Sequence, residues 1–231
     1  MRLRIKASAR FPLAGLDWQR KLLIGGATGL LLELLFVGLT FLASEEVAFG
    51  IAPLAVVLNF PAVGYILQVY EGTLRGQGGS LPEWARWPDL LRRGLFGIGV
   101  GLGYGVIPVL LIVLGLGLLV QGGILLFLGM VLMVLGVLAG VFMVFFLPMA
   151  LAHSIGQGRI EAAFYAGSLW EGINAVLAEY VAVYLLSIGS YIAAALVALV
   201  PYLGPLVWPF LCFYLALVQA RLFGEICSKA S

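Results

Sequence analysis

Charge is scarce in these 231 residues: 13 Lys and Arg and 11 Asp and Glu make up 10% of the chain. A soluble globular chain is nearer a quarter charged and half apolar, whereas this one is 63% hydrophobic. That shortage excludes a soluble enzyme. It also excludes a disordered chain, which needs low hydrophobicity and high charge. Cysteine is scarce too. Cys212 and Cys227 form no Cys-x-x-Cys pair, so neither a disulfide framework nor a zinc site is indicated. The single histidine, His153, is too few for a metal site. It could supply one axial bond to a haem or chlorin, but a hydrogen bond at a helix end is the simpler reading. Ser154 beside it faces elsewhere on a helix. No nucleophile, base and orienting group recur at a spacing that would bring them together. No catalytic role, metal or nucleic-acid partner is therefore expected. A bound lipid is expected, and neither pigment nor haem is indicated.

What the chain has instead is long apolar runs. Six of them lie at Leu22–Ala43, Val47–Gln68, Leu95–Val120, Gly122–Leu147, Ala175–Val200 and Gly204–Phe223. Each meets the roughly 20 residues that a bilayer-spanning helix requires. The first is too long for the apolar core of a secretion signal, so it is expected to be a membrane helix. The runs are apolar all round, without the period-two alternation of a membrane barrel. The expected fold is all-α: a polytopic integral membrane protein with a single six-helix domain over residues 1–231.

Topology follows from Lys and Arg. Six precede the first run, four lie between the second and third, one lies between the fourth and fifth, and the C-terminal end carries two, Arg221 and Lys229. The other three connections have none, and the first of these carries Glu45 and Glu46. With six spans, every basic segment falls on one side, which the positive-inside rule makes cytoplasmic. Both termini are then cytoplasmic, and the spans form three hairpins with very short outer connections. The cytoplasmic segments are 1–21, 69–94, 153–174 and 224–231. Surface helices are expected over Leu13–Lys21, Leu81–Arg93 and Arg159–Gly172. Trp84 and Trp87, three apart, would share a face at the headgroup level with Arg92 and Arg93 near phosphates. That face would be an interfacial anchor or a docking surface for a partner subunit.

Two features lie inside the spans. The third run reads Gly97-Ile-Gly-Val-Gly101-Leu-Gly-Tyr-Gly105. Glycines four apart let helix backbones approach closely, so Gly97, Gly101 and Gly105, with Gly136 and Gly140 in the fourth run, read as helix-packing positions. Glu33 lies near the middle of the first run. A carboxylate there must be protonated, paired or turned inward, which makes it a candidate ion or proton site. Asn59, two residues before Pro61, is its candidate partner, at a local break in the second helix.

An ordered series of residues carries a family likeness: Gly64-Tyr65, Thr73-Leu74-Arg75-Gly76, Leu81-Pro82-Glu83-Trp84, Trp87-Pro88-Asp89-Leu90 and Gly94. It resembles an uncharacterised family of multi-pass membrane proteins of archaea and bacteria, catalogued as domain-of-unknown-function family 4013. The Leu-Pro-x-Trp-x-x-Trp element is its specific part. Gly64, Arg75, Gly76, Pro82, Trp84, Trp87 and Gly94 match the family pattern. Arg86 and Pro88 depart from it, where the family has Asp or Asn with Gly. The resemblance implies a multi-pass protein of a prokaryotic cytoplasmic (inner) membrane and brings no activity with it.

The functional expectation is a non-enzymatic accessory or structural subunit of a larger membrane complex. Its partners would be other membrane subunits and lipids, including anionic headgroups. The alternative is a small-solute, ion or lipid transporter or channel that uses an intramembrane carboxylate. A lipid-acting membrane enzyme ranks third.

Overall fold

The computed structural model describes residues 5–15, 17–42, 57–77 and 79–230, and for 36–42 the backbone only. Among these residues every regular element is helical. The helices are α1 (Ile5–Arg10), α2 (Trp18–Leu42), α3 (Phe60–Leu74), α4 (Trp87–Leu119), α5 (Gly123–Gln157), α6 (Ala166–Ala175), α7 (Leu177–Ala198) and α8 (Leu203–Cys227). Short 3-10 turns occupy Phe11–Leu13 and Ile160–Phe164. α4, α5, α7 and α8 are long and apolar enough to cross a membrane, which fits a membrane protein. The first expected span lies largely within α2. Part of the second, and the connection Ser44–Glu46, lie outside the described residues.

The helix ends differ from expectation for local reasons. No helix covers residues 79–86. Pro82 lacks a backbone donor, and Arg86 sits in the left-handed region at φ 53°. α4 then starts at Trp87, with Pro88 in its first turn, where a missing N–H costs nothing. The expected surface helix over Leu81–Arg93 is therefore a pinned loop followed by the first turns of α4. Trp84 and Trp87 do not share a helical face. Likewise, Gly15 at φ 106° separates the Phe11–Leu13 turn from α2. The expected helix over Leu13–Lys21 is thus the start of α2. α5 continues through Pro148 to Gln157, so His153 lies inside it. The expected helix over Arg159–Gly172 is a 3-10 turn followed by α6.

The described residues fall into two compact units. One combines the stretch up to Gly97 with that from Gly172 onward, and the other is Ile98–Glu171. In the first, α8 is the central helix, touching α1, α2, α3 and α7. It runs antiparallel to α2, where the rings of Phe213 and Phe210 and the ring of Pro209 lie over Gly25, Gly26 and Gly29 in turn. Its other end meets α3, where Gly224 lies on Thr73. The N-terminal segment closes over the same end. Tyr214 Oη donates to the Ala9 carbonyl at 2.6 Å, and the Arg221 guanidinium sits 4.4 Å from the Phe11 ring centroid. The fully buried Tyr65, Tyr180, Leu217, Ile226 and Cys227 gather here. The basic segments of this unit, the N-terminal stretch, residues 75–93 and the end of α8, thus meet at one well-packed end.

The second unit is a helical hairpin. Its backbones cross closely at Gly115 and Gly129, and Gly136 abuts Ile112. The Ile160–Phe164 turn folds back onto α4. Ile160 reaches Gly99, Phe164 covers Gly103, and Tyr104 Oη donates to the Ala163 carbonyl at 2.5 Å.

Candidate functional site

The polar end of the first unit is built around an inserted tryptophan. Trp84 lies flat on Tyr65, with ring centroids 4.2 Å apart and 7° between planes, and Phe213 stands 6.1 Å away. Three bonds to backbone carbonyls pin the loop. Trp84 Nε1 donates to Lys21 at 3.1 Å, Lys21 Nζ donates to Leu81 at 2.9 Å, and Tyr65 Oη donates to Pro82 at 2.7 Å. The Lys21 ammonium, on a side chain only 12% exposed, also pairs with Glu83 at 2.5 Å. A buried cation needs such partners to offset its lost hydration. The ring face of Trp84 is therefore occupied from within. Trp87 stands 5.7 Å from Trp84 and is 45% exposed.

Beside this clamp, Glu71 of α3 holds two guanidinium groups. Arg75 pairs with it at 2.6 Å, and Arg93 of α4 binds its other oxygen. Arg75 is placed by the end of α3. Gly76 N–H donates to the Thr73 carbonyl at 3.0 Å and Gln77 N–H to the Gly72 carbonyl at 2.7 Å. With Gly76 at φ 72°, this is the glycine-terminated Schellman cap. A cavity of about 250 Å³ opens between Glu71, Arg75, Arg93, Gln68, Ser80 and Phe11. The Gln68 Oε1 atom is buried with no hydrogen-bond partner among the described residues. Arg92 points outward, whereas Arg93 turns into the cavity.

Gly64 and Gly94 make a close crossing of α3 and α4. A Cβ on Gly64 would overlap the Leu90 carbonyl, and one on Gly94 the Phe60 carbonyl. At Gly97 the Leu67 side chain fills the space. Gly101 and Gly105 have nothing within 4 Å of a Cβ position, and Gly140 is in ordinary contact with Pro108.

Glu33 is half-buried on α2, within electrostatic range of Cys212 on α8. Asn59 stands directly before α3, and its amide nitrogen is buried without a partner among the described residues. No hydrogen bond or ion pair joins the two among the described residues. His153 is half-buried on α5. No group of three or more His, Cys, Asp or Glu that could hold a metal exists among the described residues.

Sequence reasoning passed over Tyr65, Lys21 and Glu71 as functional positions. A signal was present for Glu71: it precedes Arg75 by four residues, the spacing of a helical ion pair. For Tyr65 and Lys21 there was none, because their partners are 17 and 60 residues away.

The profile of a family described as "Protein of unknown function (DUF4013)" matches residues 47–203, more than half of the chain. No curated protein and no solved structure matches.

Proposed function

The chain belongs to the DUF4013 family of proteins of unknown function, and from its own geometry we propose that it is a non-enzymatic accessory or structural subunit of a larger membrane complex. One observation carries this reading. α4 presents Gly101 and Gly105 one turn apart, with open space beyond each. In a bilayer, apolar surface alone gives helices no reason to associate, and small residues four apart are what let a second helix approach. The occupant of that face is a membrane helix of another subunit, with lipid around it. In this reading the chain makes six spans in a prokaryotic inner membrane. Both termini and all basic segments then face the cytoplasm, near anionic headgroups. The convergence of three basic segments at one end of the first unit supports that orientation.

The test is extraction in mild detergent, native separation and mass spectrometry of what co-migrates. A stoichiometric partner is expected, and it should dissociate when Gly101 and Gly105 are both changed to Leu. Wild-type protein that migrates alone would refute the reading.

Transport through an intramembrane carboxylate is the second reading. It is favoured by Glu33, which has no hydrogen-bond or ion-pair partner among the described residues and lies within range of Cys212. Proteoliposome fluxes that are identical for wild type and Glu33→Gln would end it.

A further inference from the structure

We infer that the cavity beside Glu71 is a binding site for a phosphate ester bearing a free hydroxyl, of the kind found in the headgroup of a phosphoglycerol lipid. The inference is independent of the subunit reading. Arg75 and Arg93 each bring one positive charge, and the single carboxylate of Glu71 bridges them. Both Glu71 oxygens are engaged, so the site keeps a net charge of about +1 and its carboxylate is neutralised toward an incoming anion. A guanidinium has five N–H donors, and one carboxylate leaves most of them free. Planar, multi-donor groups in pairs suit phosphate oxygens better than a point charge does.

The second half of the ligand is set by Gln68. Its Oε1 is buried with no partner among the described residues, and the residue lines the same cavity. A buried polar atom left unpaired is costly, so a ligand that satisfies it gains affinity. A hydroxyl can donate to or accept from an amide, whichever way the amide points. Ser80 in the same lining offers a further hydroxyl, and Phe11, Val69 and Pro82 supply apolar lining. At about 250 Å³ the space equals roughly eight waters at about 30 Å³ each, enough for one polar headgroup. The cavity sits where α3 ends and α4 begins, which is headgroup height if those helices cross the bilayer.

Full-length protein would be placed in nanodiscs of phosphatidylglycerol or of phosphatidylcholine, and retained lipid counted by native mass spectrometry after delipidation. In parallel, soluble glycerol phosphate would be titrated onto the detergent-purified protein. Retained phosphatidylglycerol, against none of the choline lipid, is the expected result and identifies a lipid source. Binding of soluble glycerol phosphate alone identifies a free phosphate ester. Binding of neither, or equal retention of both lipids, overturns the inference. Arg75→Gln should cut retention at least tenfold, whereas Arg86→Gln, on the same loop but outside the cavity, should leave it unchanged. Equal losses in both would mean diffuse surface charge and defeat the site. Glu71→Gln should raise retention severalfold. A folded Glu71→Gln protein that retains less lipid overturns the proposal, and if that variant does not fold, the two arginine variants decide.

Discussion

Gly64 and Gly94 each leave room for a carbonyl oxygen of the other helix, and a carbonyl cannot step aside as a side chain can. Gly94→Ala should therefore lower stability by about 2–3 kcal/mol, the upper range for overpacking a close contact. Gly101→Ala, with open space around it, should leave stability unchanged or slightly raised, since Ala is the better helix former. Thermal unfolding of the two variants in the same detergent checks the contrast; equal losses would disprove the crossing. Trp84 and Trp87 make a second contrast. Trp84→Ala removes the stack on Tyr65 and the bond to the Lys21 carbonyl. It should cost about 3 kcal/mol, near the low end for a large aromatic removed from a packed site. Trp87→Ala, on a residue 45% exposed, should cost about 1 kcal/mol or less. A melt in which Trp87→Ala is the more damaging change would show that the loop is not pinned through Trp84.

The helices show where sequence reading succeeds and where it stops. The centres of the apolar runs were legible because hydrocarbon demands length and low charge: α8 contains its expected run, α4 and α5 cover theirs to within one residue, and α7 covers Leu177–Ala198 of the expected Ala175–Val200. The ends were not. Polar residues such as Asp89, Arg92 and Arg93 look like a separate surface segment, yet they continue α4, because extending a formed helix costs far less than starting one. Trp84 was assigned to a helical face by spacing that presupposes a helix. Pro82 and the left-handed Arg86 remove that helix and turn the ring inward. Gly76 was legible as a family-pattern residue, but its task appears only in the structure, where it ends α3 and sets Arg75 beside Glu71. Gly76→Ala forces a Cβ into the left-handed region, at a cost of about 1 kcal/mol. The lost cap should also loosen Arg75, so phosphatidylglycerol retention should fall along with the melting temperature. A variant that melts lower but retains lipid fully would separate the cap from the site.

At the scale of the whole molecule, tight packing is unevenly distributed. The polar end of the first unit gathers fully buried side chains such as Tyr65, Tyr180, Leu217 and Ile226, whereas the candidate spans bury only 11–33% of their most apolar windows. Hydrogen exchange should therefore divide the first unit. Amides of Tyr65–Thr73 and Leu217–Cys227 should be the slowest, and those around the α7–α8 connection at Pro201–Tyr202 the fastest; a reversed order would refute this account. The position of α8 has a further consequence. α1, α2, α3 and α7 all lean on it, and Tyr214 reaches back 205 residues to Ala9. A ribosome makes α8 after every one of the helices it joins. Until then the earlier helices lack their common partner. This unit can therefore close fully only once its last helix has been made.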